Sequence, residues 1–491
     1  MKRFFSSPLL PLAAGACLRL LLVFKYPATG GDTVLYEQFA TNWLKLGRFA
    51  MDIGGQPTAT DLRMPGYPAF LTIIYALTGR SGESARMAVM LAQTVVDLAG
   101  CVVIAALAAL LAGLCGQRAK ARRVFLLALW LAALCPFTAN YVAAPLTEVW
   151  AVFLSAVALV LLAMVAARMT GSVVPLFGGK ELSEKGAWQI AALGGFVAGL
   201  GALVRPETPL LLATTFVAVA FWMLRRGEVK KWILLCALMA AGCAVPLLPW
   251  TIRNAVTLHE FQPLAPKDTT LPSEVDPKGF MAWERTWLYR VRDNYLVPWK
   301  LNDEEIHLED IPNGAFDTSE ERQRVADVLE KYNDDLTWSA DEDAVFAELA
   351  RERTARHPLR TYLWIPLRRA VRIWFTPRIE LLPIAGHVFP LAYQREEDPV
   401  DQEWTVLFFA VNVLYVALAL WGGGKVWKCR SARCALVVLG LYVLVRTAFL
   451  TTLETPEPRY VLECFPVVIA LSAVVVSGVG TGVQTGPSKP L

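Results

Sequence analysis

The sequence predicts an all-α polytopic membrane protein with about ten transmembrane helices. Of its 491 residues 55% are hydrophobic and 18% are charged, whereas a soluble chain of this length carries far more charge. Basic residues gather between apolar runs, as the positive-inside rule requires of cytoplasmic loops. The runs approach the roughly 20 residues that cross a bilayer, for example Ala85–Gly116, Val124–Leu134, Trp150–Ala167 and Trp188–Val204.

The apolar runs and their flanking residues predict the position of each span. With ten spans, both termini and every basic loop lie in the cytoplasm. The basic groups lie at separate helix ends, so we expect no nucleic-acid partner. The first run is followed by Lys25-Tyr26-Pro27 rather than by small residues, which predicts an uncleaved helix. The predicted spans are 5–24, 85–114, 124–143, 147–166, 188–205, 207–224, 232–250, 403–421, 434–452 and 460–479.

Two long segments lie on the outer side in this topology. We therefore divide the chain into an N-terminal transmembrane module (1–250) with a first outer loop (25–84), an extracytoplasmic segment (251–402) and a C-terminal transmembrane module (403–491). The outer segments should contain juxtamembrane helices, and the tail after Ser477 should be disordered. Arginines at helical spacing in His357–Phe375 favour a helix at the membrane interface over another span. The other predicted outer helices are Thr33–Leu46, one after Pro68, Ser319–Tyr332 and Asp341–Ala355.

The cysteine and histidine patterns predict neither a disulfide-bonded domain nor a metal site. All nine cysteines fall in or beside apolar runs, and none lies between Thr251 and Glu403, so disulfides are not expected. The four histidines, at positions 259, 307, 357 and 387, show no metal-ligand spacing. We therefore expect no required cofactor.

Ionisable residues near the outer boundary are the candidates for chemistry, because burying them costs free energy. Asp32 follows two glycines directly after the first span, and its alternative role is to cap the next helix. Asp61 is a second candidate, which could instead shape a turn. Glu148 could complement its helix dipole. Four arginines fall at predicted outer helix ends, where Arg63 or Arg253 could snorkel to headgroups and Arg205 could pair with Glu207; they are Arg63, Arg205, Arg253 and Arg459.

These residues form an ordered set of short motifs along the chain. The motifs are Asp32 with Tyr36, Ala40 and Gly47, then Arg63-x-Pro65-Gly66-Tyr67-Pro68, Pro145-Leu146-Thr147-Glu148, Val204-Arg205-Pro206-Glu207, Pro249-Trp250-Thr251-Ile252-Arg253-Asn254 and Glu457-Pro458-Arg459-Tyr460. The set resembles the GT-C glycosyltransferases, in particular the bacterial group related to protein O-mannosyltransferases and the lipid A aminoarabinose transferase. The resemblance covers roughly the first 260 residues well and the C-terminus more loosely.

The resemblance implies an inverting transfer of a sugar from a polyprenyl phosphate. It implies Asp32 as the general base and the four arginines as ligands of the donor phosphate, with Tyr36, Glu148 and Tyr460 as further candidates. In the aminoarabinose transferase an acid directly precedes the loop's basic residue, whereas Leu62 precedes Arg63 here, so Asp61 or Asp52 would be the second acid. A divalent cation on Asp32 and Asp61 is conceivable, as in oligosaccharyltransferases, but the arginines already supply positive charge.

Two other function classes stay open at this stage. A transporter or lipid flippase usually shows repeated halves and polar residues midway in the membrane, and neither is evident. A non-catalytic assembly subunit is the third interpretation. We expect membrane lipids and a polyprenyl-phosphate sugar as partners, an acceptor that is a protein, glycolipid or polysaccharide, and a bacterial inner membrane with the site facing the periplasm. An endoplasmic-reticulum membrane with a lumenal site has the same topology.

Overall fold

The computed structural model describes residues 7–175, 180–266, 275–384, 399–455 and 457–478. The structure is 74% helical, and the sheet in these ranges is one two-stranded hairpin. Each of the ten predicted spans coincides with a helix or with a bent pair of helices. The predicted all-α polytopic fold class is therefore confirmed, and the cysteines are free thiols as expected. The predictions for His387 and for the tail beyond Gly478 lie outside the described residues.

The chain forms two compact units. The first comprises Met1–Ala265, Pro377–Val445 and Leu462–Leu491. Its elements up to residue 143 are α1 (Leu9–Lys25), α2 (Gly31–Leu46), β1 (Ala50–Ile53), β2 (Gln56–Ala59), α3 (Gly66–Thr78), α4 (Arg86–Leu114), α5 (Arg118–Ala133) and α6 (Pro136–Ala139). Its later elements are α7 (Glu148–Met169), α8 (Glu184–Ala202), α9 (Leu210–Arg225), α10 (Val229–Thr257), α16 (Pro399–Trp427), the start of α17 (Arg433–Leu450) and α18 (Phe465–Val476).

Membrane-spanning length is reached by fewer helices than predicted. α1 has 17 residues and α9 has 16, so both are too short to count as candidate spans. α8 combines charged residues at its start with five glycines and is too polar to count as one. A bent pair, Arg118–Ala133 with Pro136–Ala143, turns by 52° and forms a further candidate span. Six described stretches are long and apolar enough: Gly82–Leu114, Glu148–Met169, Val229–Thr257, Val400–Trp427, Arg430–Leu450 and Pro458–Val476.

Glycines allow two of these helices to approach closely. A Cβ placed on Gly195 of α8 would lie 2.1 Å from the Met239 carbonyl oxygen of α10. One on Gly199 would lie 2.3 Å from the Cys243 carbonyl oxygen, one turn further along. Small residues at helix interfaces are the usual means of close packing in a membrane. α8 is therefore specified by its packing against α10 more than by its hydropathy.

The second unit comprises Pro266–Thr376 and Arg446–Val461. Its core is aromatic, with Phe280, Trp283, Trp338 and Phe346 all nearly inaccessible to water. The predicted helices at 319–332 and 341–355 are confirmed with slightly wider bounds. Its helices are α11 (Lys278–Glu284), α12 (Val291–Leu296), α13 (Ser319–Asp335), α14 (Ala340–Arg356), α15 (Ile365–Phe375) and the end of α17.

Candidate active site

The start of α2 is fixed by hydrogen bonds to the segment that precedes α7. The Gly30 N–H donates to Thr33 Oγ1 at 3.0 Å, and the Thr33 hydroxyl donates to the Pro145 carbonyl at 3.3 Å. Two residues before Gly30, the Ala28 N–H donates to the Ala143 carbonyl at 2.9 Å. Two hydrogen bonds to residues 143–145 therefore hold the start of α2 in place. The predicted helix Thr33–Leu46 is confirmed, and Gly47 ends it in the left-handed conformation with φ of 65°.

Asp32 lies in this first turn, and its carboxylate faces Arg63. Arg63 Nη2 donates to Asp32 Oδ1 at 3.0 Å, and about one third of each side chain is exposed (33% and 32%). The alternative that Asp32 only caps the helix is wrong, because Gly30 is the cap residue and Thr33 satisfies its N–H. The Asp32 carboxylate is thus oriented by an arginine and still reached by solvent.

The loop that carries Arg63 is fixed against the end of α8. The Gly66 N–H donates to the Leu203 carbonyl at 2.7 Å, and a Cβ on Gly66 would lie 2.5 Å from that oxygen. The Arg63 guanidinium also donates to the Leu62 carbonyl at 3.1 Å. Glycine is therefore required in the Arg-x-Pro-Gly-Tyr-Pro motif by close approach of two backbones.

Tyr36 lies one turn after Asp32 and is buried beneath the ion pair. Its ring packs edge-on against Tyr67 with centroids 5.1 Å apart, and the Tyr67 hydroxyl donates to Gln93 Oε1 at 2.7 Å. Burial raises the pKa of the Tyr36 phenol above its ordinary value, and the negative charge of Asp32 raises it further while Arg63 opposes this. Tyr36 is therefore a neutral hydroxyl within the electrostatic reach of the pair.

A buried charge cluster lies in the same unit around Arg205. Its guanidinium contacts Glu148 at 2.7 Å, Glu463 at 3.7 Å and Glu207 at 3.9 Å, and it also donates to Thr147 Oγ1 at 3.3 Å. The predicted Arg205–Glu207 pairing is thus the longest of three carboxylate contacts. Arg205 and Glu148 also act on the Tyr36 phenol, with opposite effects on its pKa. Two motifs from distant parts of the sequence therefore meet near Tyr36.

Glu463 is a member of this cluster that the sequence analysis did not select. It is 2% exposed, and its Oε2 accepts a hydrogen bond of 2.9 Å from the Ser155 hydroxyl of α7. The signal was present, because an acid between Leu462 and Cys464 interrupts an apolar run. Asp97 was missed in the same way. It lies within α4 and forms a buried pair of 2.5 Å with Arg19 of α1.

Arg253 is used to hold the first outer loop. Its guanidinium donates to the carbonyls of Phe49 at 2.7 Å and Thr60 at 3.0 Å, which flank the β1–β2 hairpin. It also lies 5.0 Å from the Trp250 ring. Arg253 is thus held at the end of α10 by hydrogen bonds to the backbone of the first outer loop, and its side chain does not extend freely as a snorkelling arginine would.

The two alternative second acids have different surroundings. Asp61 precedes Leu62 and is partly buried, and its negative charge acts on Arg253. The local turn is closed by the Thr60 hydroxyl, which accepts from the Leu62 N–H at 3.1 Å, so the predicted turn role of Asp61 is filled by Thr60. Asp52 accepts from Asn42 Nδ2 at 3.1 Å on strand β1. Neither carboxylate has a described contact with Arg63.

Arg459 and Tyr460 belong to the second unit. Arg459 Nε lies 2.6 Å from Glu457 Oε2, and the Tyr460 hydroxyl donates to Glu457 Oε1 at 2.8 Å. Arg446 donates to the Tyr460 carbonyl at 3.1 Å, and Glu454 of the same unit pairs with Arg285. Glu457 thereby orients both candidate residues of its motif.

The described residues contain no group of three or more histidine, cysteine, aspartate or glutamate side chains that could hold a metal ion. The expectation on cofactors stays a prediction.

No family model matches this chain, and no curated protein matches it in sequence. Solved structures of GT-C enzymes are similar to it. One is the oligosaccharyltransferase of Archaeoglobus fulgidus, tethered to an acceptor peptide, with 12% identity and a TM-score of 0.48. The match covers 96% of this chain, which spans about half (49%) of that protein. Another is ArnT from Cupriavidus metallidurans bound to undecaprenyl phosphate, with 12% identity, a TM-score of 0.40, and coverage of 95% and 76% of the two chains.

Proposed function

We propose that this integral membrane protein is an inverting glycosyltransferase, which moves a sugar from a polyprenyl-phosphate donor to a hydroxyl of an extracytoplasmic acceptor. The observation that carries the proposal is the Asp32–Arg63 pair at 3.0 Å, in which about one third of each side chain is exposed and each residue lies on a segment fixed by hydrogen bonds to the rest of the unit. It joins a proton acceptor to a phosphate-binding cation, the two groups that such a transfer needs. The donor class is inferred from these residues and their motifs, and not from the lipid in the ArnT structure.

The proposed reaction takes place in one displacement. The acceptor oxygen forms a bond to the anomeric carbon as the bond from that carbon to the phosphate oxygen breaks. Asp32 takes the proton of the acceptor hydroxyl, and the electron pair of the broken bond leaves on the polyprenyl phosphate. A positioned general base typically contributes about 10²–10⁴-fold to the rate.

Arg63 stabilises the leaving phosphate in this scheme. Its planar guanidinium suits phosphate oxygens, and a third of the side chain is open to solvent while one edge contacts Asp32. Charge that grows on the phosphate as its bond to the sugar breaks is then met by a cation already in place. Arg205, Arg253 and Arg459 remain proposed phosphate ligands of lower rank. The side chains of Arg205 and Arg459 are only 11% and 15% exposed, against 33% for Arg63, and Arg253 is held by two backbone carbonyls.

The remaining candidates have supporting roles in this proposal. Tyr36 offers a neutral hydroxyl beneath the pair, and Glu148 holds Arg205 in the adjoining cluster. Tyr460 lies against Glu457, and Asp61 is a second acid near Arg253. We propose that the site lies on the outer side of the membrane, as the predicted topology has it, and that this membrane is a bacterial inner membrane with the site facing the periplasm.

Transfer of labelled sugar by the purified full-length protein in nanodiscs tests the proposal. Donors are polyprenyl phosphates carrying different pentoses or hexoses, and acceptors are fractions of envelope protein, glycolipid and polysaccharide. We expect label in one acceptor fraction with inversion at the anomeric carbon. Movement of an intact lipid-linked sugar across the bilayer without transfer would instead support the transporter alternative. Neither transfer nor movement would support the assembly subunit.

A further inference from the structure

The segment His357–Phe375 in the second unit has two chemically different faces. It is helical, with a widened turn at Arg360–Trp364 before α15, and it contains no acidic residue. Its inner face is buried at Ile365, Arg369 and Ile373, which recur at a spacing of four. Arg369 donates there to the carbonyls of Leu288, Thr451 and Leu453. The helix is therefore attached to its unit by one face only.

Its outer face exposes large apolar side chains in a row. Leu359, Leu363, Leu367 and Val371 recur every four residues and are 45–67% exposed. Tyr362 and Trp364 on the same segment are 74% and 56% exposed. A continuous apolar face of this size is uncommon on a surface that meets only water, and it marks an interaction surface.

Arginines gather beside this face around one aromatic ring. The guanidinium carbons of Arg290, Arg368 and Arg372 lie 5.6, 5.2 and 5.9 Å from the Tyr289 ring centroid. Arg290 and Arg368 are exposed. The acid that faces this group is Asp293, which is 5% exposed. The surface beside the apolar row therefore carries several positive charges and little accessible negative charge.

We propose that the outer face of Leu359–Val371, together with the arginines around Tyr289, binds an anionic lipid surface. The apolar row would enter the boundary between headgroups and acyl chains, and the arginines would bind headgroup phosphates. Charge complementarity selects this partner, since basic side chains beside an amphipathic helix are attracted to anionic lipids. The spanning helices anchor the chain in a bilayer, so the lipid is present at high effective concentration. The inference is independent of the glycosyltransferase proposal.

The test follows Trp364 of the full-length protein in nanodiscs with lipids brominated on the acyl chain. The emission of Trp364 is taken as the difference between the wild type and Trp364→Phe. Nanodiscs of phosphatidylcholine receive a graded fraction of phosphatidylglycerol, and we expect Trp364 quenching to rise with that fraction. Arg290→Gln and Arg368→Gln should each raise the half-maximal fraction about fivefold, from about 1 kcal/mol per basic residue.

Arg351→Gln is the matched control, because Arg351 is 78% exposed on α14 and contacts Glu348 instead of Tyr289. It should leave the half-maximal fraction unchanged. Leu363→Ser with Leu367→Ser should lower quenching at every fraction by removing the apolar row. Quenching of Trp364 that is absent, or equal with and without phosphatidylglycerol, would overturn the proposal and leave this face to a protein partner.

Discussion

The Arg63 guanidinium donates to the Asp32 carboxylate at 3.0 Å, although the two residues lie 31 positions apart. α2 supplies the carboxylate from its first turn, and the loop before α3 supplies the guanidinium. The two elements are fixed separately, by the segment before α7 and by the end of α8. The pair therefore depends on three regions of the chain, and the following predictions examine it and its supports.

Asp32→Asn should lower sugar transfer by about 10²–10⁴-fold, because an amide does not accept the acceptor proton. The helix should stay intact, since Thr33 and Gly30 make the capping hydrogen bonds. Asp334→Asn, at an exposed position on α13, is the control and should transfer normally. The measurement is turnover of purified variants together with donor binding. Near-normal turnover of a folded Asp32→Asn protein contradicts the role of Asp32.

Arg63→Ala should weaken donor binding about 10–100-fold, which corresponds to the roughly 1.5–3 kcal/mol of a charge-assisted hydrogen bond. Arg63→Lys should recover part of the lost donor affinity, since an ammonium keeps the positive charge but not the planar geometry of the guanidinium. Titration of a polyprenyl phosphate by calorimetry measures both constants. Equal affinities in the wild type and Arg63→Ala would remove Arg63 from the phosphate site.

Glu463→Gln should lower the melting temperature more than Ser155→Ala does. The glutamine removes a carboxylate from buried Arg205, whereas the alanine removes one neutral hydrogen bond of about 1 kcal/mol. Arg205 keeps Glu148 and Glu207 in the Glu463→Gln variant, so the loss should stay below the about 3–5 kcal/mol that leaving a buried charge without a partner costs. Thermal unfolding in a fixed detergent measures the order, and the reverse order would show that Glu463 does not stabilise the cluster.

Gly66→Ala should destabilise the first outer loop and reduce transfer, because its Cβ would lie 2.5 Å from the Leu203 carbonyl oxygen. Gly31→Ala is the matched control near the same site, since a Cβ there meets no atom within 4 Å. We expect the control to be neutral or slightly stabilising. Proteolysis of the loop and transfer activity report the difference. Equal behaviour of the two variants would contradict the close contact.

Glu284→Gln should remove one contribution to the pH dependence of the second unit's free energy of unfolding. Burial raises the pKa of Glu284 well above its ordinary value, against the opposing charges of Arg369 and Arg285. The folded state then binds a proton that the unfolded state has lost, so stability falls as pH rises from the unfolded pKa to the folded one. The slope is about 1.4 kcal/mol per pH unit. The free energy of unfolding, measured between about pH 4 and pH 8, should change less with pH for Glu284→Gln than for the wild type. Identical slopes would contradict the prediction.

The sequence was sufficient to predict most of the helices, whereas the functional roles of the site candidates remain predictions. Hydropathy runs predicted each spanning segment as a helix, and Gly47 predicted the end of α2, because both signals are local. The prediction of ten spans was too simple for α8, because its five glycines lower its apolarity, and two of them, Gly195 and Gly199, allow its close packing on α10. Packing between helices is not visible in a local window.

The contacts between side chains were harder to predict than the positions of the residues along the chain. The sequence by itself determined that Asp32 and Arg63 lie between the first two long apolar helices, and that Arg205 and Glu148 lie at helix ends. Only the tertiary structure decided that Arg63 contacts Asp32, that Arg253 supports the β1–β2 hairpin, and that Glu463 joins Arg205. The physical reason is that an ion pair depends on where two backbones are brought within a few ångströms of each other, and in this protein that distance is decided by helix packing between remote segments.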